Sequence, residues 1–179
     1  TEYVGLEIDS PKNRQNKKVD VFYDGKTFPF PNNSFDAVIA SQVFEHIFEP
    51  DNFLKETHRI LKPDGALIIT VPFLWDEHEQ PIDFARYTSF GIKYLLEKHG
   101  FKIIQSKKSM DGIRAIFQML NAYFYKVITF KNKYLKQVII TILVSPFNLL
   151  GEVLSWILPK NSDIYLDNII LAQKPKDCE

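Results

Sequence analysis

The segment Ala66-Leu67-Ile68-Ile69-Thr70-Val71 constrains the fold more than any other. Five of its six residues are apolar, and Pro63-Asp64-Gly65 and Pro72 bound it. A strand this apolar is expected to be covered on both faces, the usual setting inside a helix-flanked parallel sheet. Shorter apolar runs predict strands at 3–8, 19–23, 35–40, 101–106 and 165–172. Between them, Phe53, Leu54, Thr57, Ile60 and Leu61 recur at helical spacing behind a cap at Asp51 or Asn52, with Pro63-Asp64-Gly65 as the stop. A second helix starts at Thr88 or Ser89, turns Ile92, Leu95 and Leu96 inward and stops at Gly100. Residues 11–18 read as a polar loop, and 111–158 as helix interrupted at Pro146. This alternation implies an α/β layered fold with a mostly parallel sheet, whose ligands sit beyond the carboxyl ends of the strands.

Composition narrows the function. The 179 residues are enough for one domain with a substantial core. Lys+Arg and Asp+Glu number 22 each, so a wholesale basic surface for nucleic acid is not expected. The only cysteine, Cys178, excludes an internal disulfide and a cysteine-based zinc site. Thr1-Glu2-Tyr3-Val4 does not read as a signal peptide, which points to a cytoplasmic protein. Charge divides the chain: 1–108 carries 14 basic and 16 acidic residues, 109–160 carries 6 and 2, and 161–179 carries 2 and 4. We therefore read 1–108 as the core, 109–160 as a basic, apolar insert, and 161–179 as the last strand of the core and a tail.

Four segments occur in a telling order. They are Val4-Gly5-Leu6-Glu7-Ile8-Asp9, then Asp24-Gly25-Lys26-Thr27-Phe28-Pro29-Phe30, then Asn33-Ser34-Phe35-Asp36-Ala37-Val38, then Glu45-His46 followed by Arg59-Ile60-Leu61-Lys62-Pro63-Asp64-Gly65. The ordered set resembles class I S-adenosylmethionine-dependent methyltransferases, specifically the type 11 methyltransferase domain, over about residues 3–108 and again 163–174. The resemblance implies a Rossmann-like three-layer sheet, N-terminally incomplete, with a helical insert before the last strand. It also implies S-adenosylmethionine as cofactor. Glu7 matches the strand-end acid that accepts from both ribose hydroxyls, with Asp9 as its near competitor. Asp24, beside Gly25, matches the acid that faces the adenine amino group; a plain turn is the alternative. Phe28 and Phe30 fit either the adenine pocket or the core. Ser41 and Gln42 fall at the sheet edge where the sulfonium would lie.

Glu45-His46 resembles the family's recurrent acid–His pair, and His46 has a pKa suited to deprotonating an acceptor hydroxyl. A hydrogen-bonded structural histidine is the competing reading. The stretch after Val71-Pro72-Phe73 holds His78, Asp83, Arg86 and Tyr87, and resembles the acceptor-side loop of bacterial methyltransferases of surface-polysaccharide and lipid-linked pathways. His78 and Asp83 are candidate catalytic groups and Arg86 and Tyr87 candidate acceptor contacts, unless the loop is simply salt-bridged. The spacing of His46 and His78 is not that of a helical metal motif, so no metal is expected.

The family's Gly-rich cofactor loop has no counterpart: among the seven glycines no two stand as G-x-G. The resemblance begins at the family's second strand, about 35–45 residues into the usual repeat. Loss of the first strand, which lies mid-sheet in the family, predicts two unpaired strand edges, unless the sheet closes up without it. A chain so shortened is expected to bind the cofactor poorly. Residues 138–158 carry Glu152 as their only charge, a length to consider for a membrane span. Pro146, Asn148, Gly151 and Glu152 argue against a simple one. Lys126, Lys131, Lys133 and Lys136 precede it, among aromatic residues of interfacial type. Two readings stay open: an element peripheral to the inner face of the membrane, or a lid or homodimer face. The leading function is methyl transfer to a small or lipid- or sugar-linked acceptor, with oxygen as the expected site. The alternative is a degenerate fold kept as a binding or assembly module.

Overall fold

The computed structural model describes residues 2–11, 13–15 and 19–176. Cys178 and part of the 11–18 loop lie outside them. Two sheets form. Strands β1 (Leu6–Ile8) and β2 (Val21–Tyr23) make a parallel ribbon. Strands β3 (Phe35–Ser41), β4 (Leu61–Pro72), β5 (Lys102–Lys108) and β6 (Asp167–Gln173) make a second sheet, ordered β3-β4-β6-β5. Strands β3 and β4 run parallel, whereas β6 lies antiparallel between β4 and β5. Three of its four strands thus run the same way, so the sheet is mostly parallel, with β6 as its one reversed member. The cause is local. The backbone of Ser109 pairs with Leu166 and Asp167, so everything between leaves and returns at one hairpin-like point, and an adjacent antiparallel strand needs no crossover.

The expected break beside β1 is present. Among the described residues β1 pairs only with β2, and β3 only with β4, so each keeps an unpaired edge and the two sheets do not join into one. The expectation of double coverage for 66–71 is not met by the described residues. Leu67, Ile69 and Val71 are fully buried, but on the other face Ile39 is 66% exposed, Ile68 37% and Ile169 39%. One layer of helices explains this. Helices α1 (Pro50–Ile60) and α2 (Ser89–Lys98) supply Leu54, Ile60, Ile92 and Leu96 to the single core cluster that holds Leu67, Ile69 and Val71.

Helix α1 begins with Glu49 at the cap position and Pro50 in the first turn, so the cap lies two or three residues before the expected Asp51 or Asn52. Asp51 instead accepts from Lys98 and His99 of the α2 end, and Asn52 donates to Lys26 O. Thr88 caps α2, its hydroxyl accepting from Gly91 N at 3.0 Å. Gly100, at φ +81°, ends that helix, where Phe101 N donates to Leu96 O.

The insert is a pair of helices, α3 (Ile113–Val127) and α4 (Lys133–Ile157). The break falls at 128–132 and not at Pro146, which lies inside α4. Asn132 explains the restart, its side chain accepting from the backbone of Tyr134 and Leu135. At Gly151 the two helices approach closely: an added Cβ would stand 3.0 Å from the Phe117 ring.

Side chains join the two sheets. The Tyr23, Phe28, Phe53 and Phe44 rings meet in sequence at 5.2, 5.5 and 5.7 Å, and Tyr87 lies 5.0 Å beyond Phe44. Phe28 is thus core, and Phe30 packs on Phe35. Below them Glu56 Oε2 accepts from Phe28 N at 2.8 Å, and the Arg59 guanidinium binds both Glu56 oxygens and the carbonyls of Phe28 and Phe30. Arg59 holds the Glu56 carboxyl below its ordinary value. Arg59→Ala should cost about 3 kcal/mol in urea unfolding, because it strands a buried carboxylate. A depressed carboxyl stabilises above the unfolded pKa, so this contribution should fade as pH falls below about 4.3. Glu56→Gln should flatten that limb of the stability–pH curve; an unchanged curve would contradict the assignment.

Candidate active site

The chain after β3 turns sharply. Gln42 takes φ +52°, and Phe44–His46 form one 3-10 turn that buries Phe44 and Glu45 completely. Ser41 Oγ lies 2.9 Å from Thr70 Oγ1, and Gln42 Nε2 bridges Thr70 Oγ1 and Asp167 Oδ1. These contacts join the carboxyl ends of β3 and β4 to the start of β6, so Ser41 and Gln42 stand at the expected edge.

The loop after β4 folds back over the same turn. Phe84 N donates to Glu45 O at 2.9 Å, and the His46 and His78 rings meet edge to face at 5.0 Å. The structure therefore brings together Glu45, His46, His78, Asp83 and Arg86. Arg86 binds both Asp83 oxygens, at 2.6 and 2.7 Å, and the carbonyls of Trp75 and Asp76. That bidentate clasp holds the Asp83 carboxyl far below the usual carboxylate range. Asp83 is thus a fixed anion that positions His78, accepting from His78 N at 2.9 Å with His78 Nδ1 3.5 Å away. It is not a proton acceptor near neutrality. Arg86 is the clasp of this loop rather than an open contact. Tyr87 packs its ring into the core against Phe44, which takes its face away from an acceptor.

Glu45 is the residue that sequence reasoning left out of the site. Both carboxylate oxygens are buried, and among the described residues no other residue hydrogen-bonds to them. Burial pushes its carboxyl above the ordinary value, against the opposing influence of its own backbone N–H and of His46, His78 and Arg86. Its adjacency to His46 was the available signal; its burial depends on the returning 78–86 loop.

The cofactor side is only partly built. Glu7 Oε1 accepts from Ile8 N and Asn13 Nδ2, leaving Oε2 without a partner among the described residues. Asp9 is paired with Arg14, so it is the weaker candidate for a ribose. Asp24 Oδ1 accepts from Lys26 N and Thr27 N, the turn role, with Gly25 at φ +81° beside it. These backbone donors hold the Asp24 carboxyl below its ordinary value. The residues fit a nucleoside at Glu7 and at the exposed side of Asp24. The wall between β1 and β3 is not supplied by the described residues. An open surface hollow of about 530 Å³ lies elsewhere, beside Phe90, Lys93 and Lys107.

Comparison with known proteins agrees with this architecture. Residues 2–69 match the family model of the methyltransferase domain. The fold is the Rossmann-like fold of class I S-adenosylmethionine-dependent methyltransferases. An S-adenosylmethionine-dependent methyltransferase from Methanosarcina mazei superposes with a TM-score of 0.54 at 14% identity, over 97% of this chain and 82% of that one. The mitochondrial ubiquinone biosynthesis O-methyltransferase of Bos taurus is 49% identical over 37 residues, 21% of this chain and 10% of the relative. The ubiquinone/menaquinone biosynthesis C-methyltransferase UbiE of Paraburkholderia phymatum is 23% identical over 111 residues, 51% of this chain and 46% of the relative. The chain thus spans less than half the length of either.

Arg86→Gln should destabilise the protein by about 3 kcal/mol, since it leaves Asp83 buried and unpaired. Asp83→Asn should cost less. Urea unfolding of the two variants checks the order, and the reverse order would mean that Arg86 is not the clasp.

Proposed function

We propose that the intact protein transfers a methyl group from S-adenosylmethionine to a small or lipid- or sugar-linked acceptor, with oxygen as the favoured site. The observation that carries this reading is the pairing of a methyltransferase-type fold with the Glu45–His46–His78 cluster, on the turn and loop that follow β3 and β4. The cofactor would be held by Glu7 at the ribose and Asp24 at the base, with Ser41 and Gln42 beneath. It supplies the electrophilic methyl. In-line displacement at a sulfonium depends chiefly on approach and orientation, which the Arg86–Asp83 clasp and the Thr70 contacts secure. A hydroxyl acceptor must also lose a proton, and His46 and His78 are the imidazoles that stand on the acceptor side.

The reading extends to the insert. Helix α4 is long and apolar enough to cross a membrane, and only Ile140 and Gly151 on it are buried. Leu149, Trp156 and Ile157 are exposed, and Lys133 and Lys136 stand near its start. Lys126 of α3 is tied to Asp76 and Glu77 O in the acceptor-side loop. This supports α3 and α4 lying on an anionic lipid surface at the inner face of the membrane and delivering a lipid-linked acceptor to the loop. Flotation with anionic vesicles tests it. Recovery of a dimer in the soluble fraction after a salt wash would replace it with an oligomer face.

Calorimetric titration of the intact protein with S-adenosylhomocysteine tests the main reading. Glu7→Ala should weaken binding by about 1–3 kcal/mol, the cost of unpaired ribose hydroxyls. His46→Ala and His78→Ala should lower turnover and leave that affinity unchanged. Absence of heat and of a thermal shift would favour a binding or assembly module.

A further inference from the structure

We infer that Glu45, His46 and His78 form a site for one divalent transition-metal ion. Glu45 Oε1 stands 3.9 Å from His46 Nε2 and 4.0 Å from His78 Nε2. One ligand atom from each residue lies within 4.8 Å of the others.

Hydrogen bonding decides what these atoms offer. His46 Nδ1 lies 2.6 Å from Ile82 O, and a carbonyl only accepts, so Nδ1 carries the hydrogen. His78 Nδ1 meets two acceptors, Asp76 O at 3.2 Å and Asp83 Oδ2 at 3.5 Å, and one donor, an Arg86 guanidinium nitrogen at 3.4 Å; the nearer carbonyl and the carboxylate favour the hydrogen on Nδ1. In the neutral rings both Nε2 atoms therefore present lone pairs. They face a carboxylate whose two oxygens are buried without a partner. Three electron-pair donors converge with no hydrogen among them. A cation bound between them turns this repulsion into coordination.

The surroundings fit an ion as well. Each imidazole is held from behind by a backbone carbonyl, the arrangement that fixes the tautomer of a metal-binding histidine. The Asp83 carboxylate stands behind His78, where Arg86 fixes it. His46 and His78 keep 16% and 30% of their side chains exposed while Glu45 keeps none, so the cluster opens to solvent on its histidine side. Tetrahedral bonds of about 2.1 Å require ligand atoms roughly 3.4 Å apart, which both Glu45 contacts reach by closing about half an ångström. Two imidazoles and one carboxylate suit zinc, cobalt or iron, and are poor ligands for magnesium or calcium. Three protein ligands leave a position for an acceptor oxygen.

This deepens the methyl-transfer reading by assigning the acceptor side an ion, but it is read without cofactor. The whole chain, stripped with a chelator, is titrated with Zn²⁺ by calorimetry and with Co²⁺ by absorption. One ion per chain is expected. Glu45→Gln and His78→Ala should each weaken binding at least tenfold, whereas His99→Ala and Cys178→Ser should leave it unchanged. Zn²⁺ should raise the melting temperature of the unaltered chain and not that of Glu45→Gln. Without metal, Glu45→Gln should melt at or above the unaltered chain, because it removes an unpartnered buried carboxylate; a lower melting point would give Glu45 a plain structural role. No binding, or binding that survives both Glu45→Gln and His78→Ala, overturns the site. An intact protein that binds the ion and not S-adenosylhomocysteine overturns methyl transfer and leaves the site standing.

Discussion

The two sheets share no backbone ladder, so a file of aromatic rings carries the mechanical connection between them. It runs from Tyr23 through Phe28, Phe53 and Phe44 to Tyr87. Each end and the middle adjoin the chemistry in sequence. Tyr23 precedes Asp24, Phe44 precedes Glu45, and Tyr87 follows Arg86. Edge-to-face pairs of this kind contribute about 0.5–1.5 kcal/mol each beyond the area they bury. They also fix orientation, because the rings interdigitate at crystal-like density. The cofactor rim and the histidine cluster thus take their relative placement from apolar packing rather than from polar contacts. Arg59 reinforces the same joint from below, since Glu56 and the two loop carbonyls it binds lie along the path from β2 to β3.

That joint leaves the second sheet with different faces. Under α1 and α2 it is dry and closed. On the other face Ile39, Ile68 and Ile169 are exposed, and among the described residues one edge each of β1 and β3 has no partner strand. An apolar strand in water is normally an association hazard. Glu7 sits on the ribbon beside such an edge, with one carboxylate oxygen bound to Ile8 N and Asn13. The part of the site that is well determined is therefore the acceptor side, where two loops lock onto each other.

How much of this was legible in the sequence depended on whether a feature was local. The apolarity of Ala66–Val71, the Thr88 cap and the Gly100 stop are properties of a few adjacent residues, and the structure reproduces each element. Pro146 misleads because the rule it invokes is also local. One lost backbone bond in an otherwise exposed helix is a bearable cost, and the neighbouring Ser145 hydroxyl bonds Thr141 O in that turn. The true break at 128–132 contains neither Gly nor Pro, and only the Asn132 cap marks it. The site divides the same way. The pairing of His46 with His78 spans 32 residues of sequence and arises because the 78–86 loop folds back on Glu45 O. Tyr87 and Arg86 read as polar contacts in a string of letters, yet one packs on Phe44 and the other is consumed by Asp83.

Asp83 and Glu45 show what that folding back accomplishes. Both are carboxylates removed from water within one small cluster, their side chains 4% and 0% exposed. Asp83 receives a bidentate guanidinium and a backbone N–H, so its charge is settled and its protonation state does not vary near neutrality. Among the described residues no other residue hydrogen-bonds to Glu45, and the nitrogens that His46 and His78 turn toward it are the ones not bonded to a backbone carbonyl. A buried carboxylate left in that condition opposes folding unless something positive comes to it. The same Arg86 that could have neutralised Glu45 is held by Asp83 and by the carbonyls of Trp75 and Asp76. The loop therefore satisfies one acid completely and leaves the other buried without a partner from another described residue. That asymmetry separates a scaffold from a site within a span of a few ångströms.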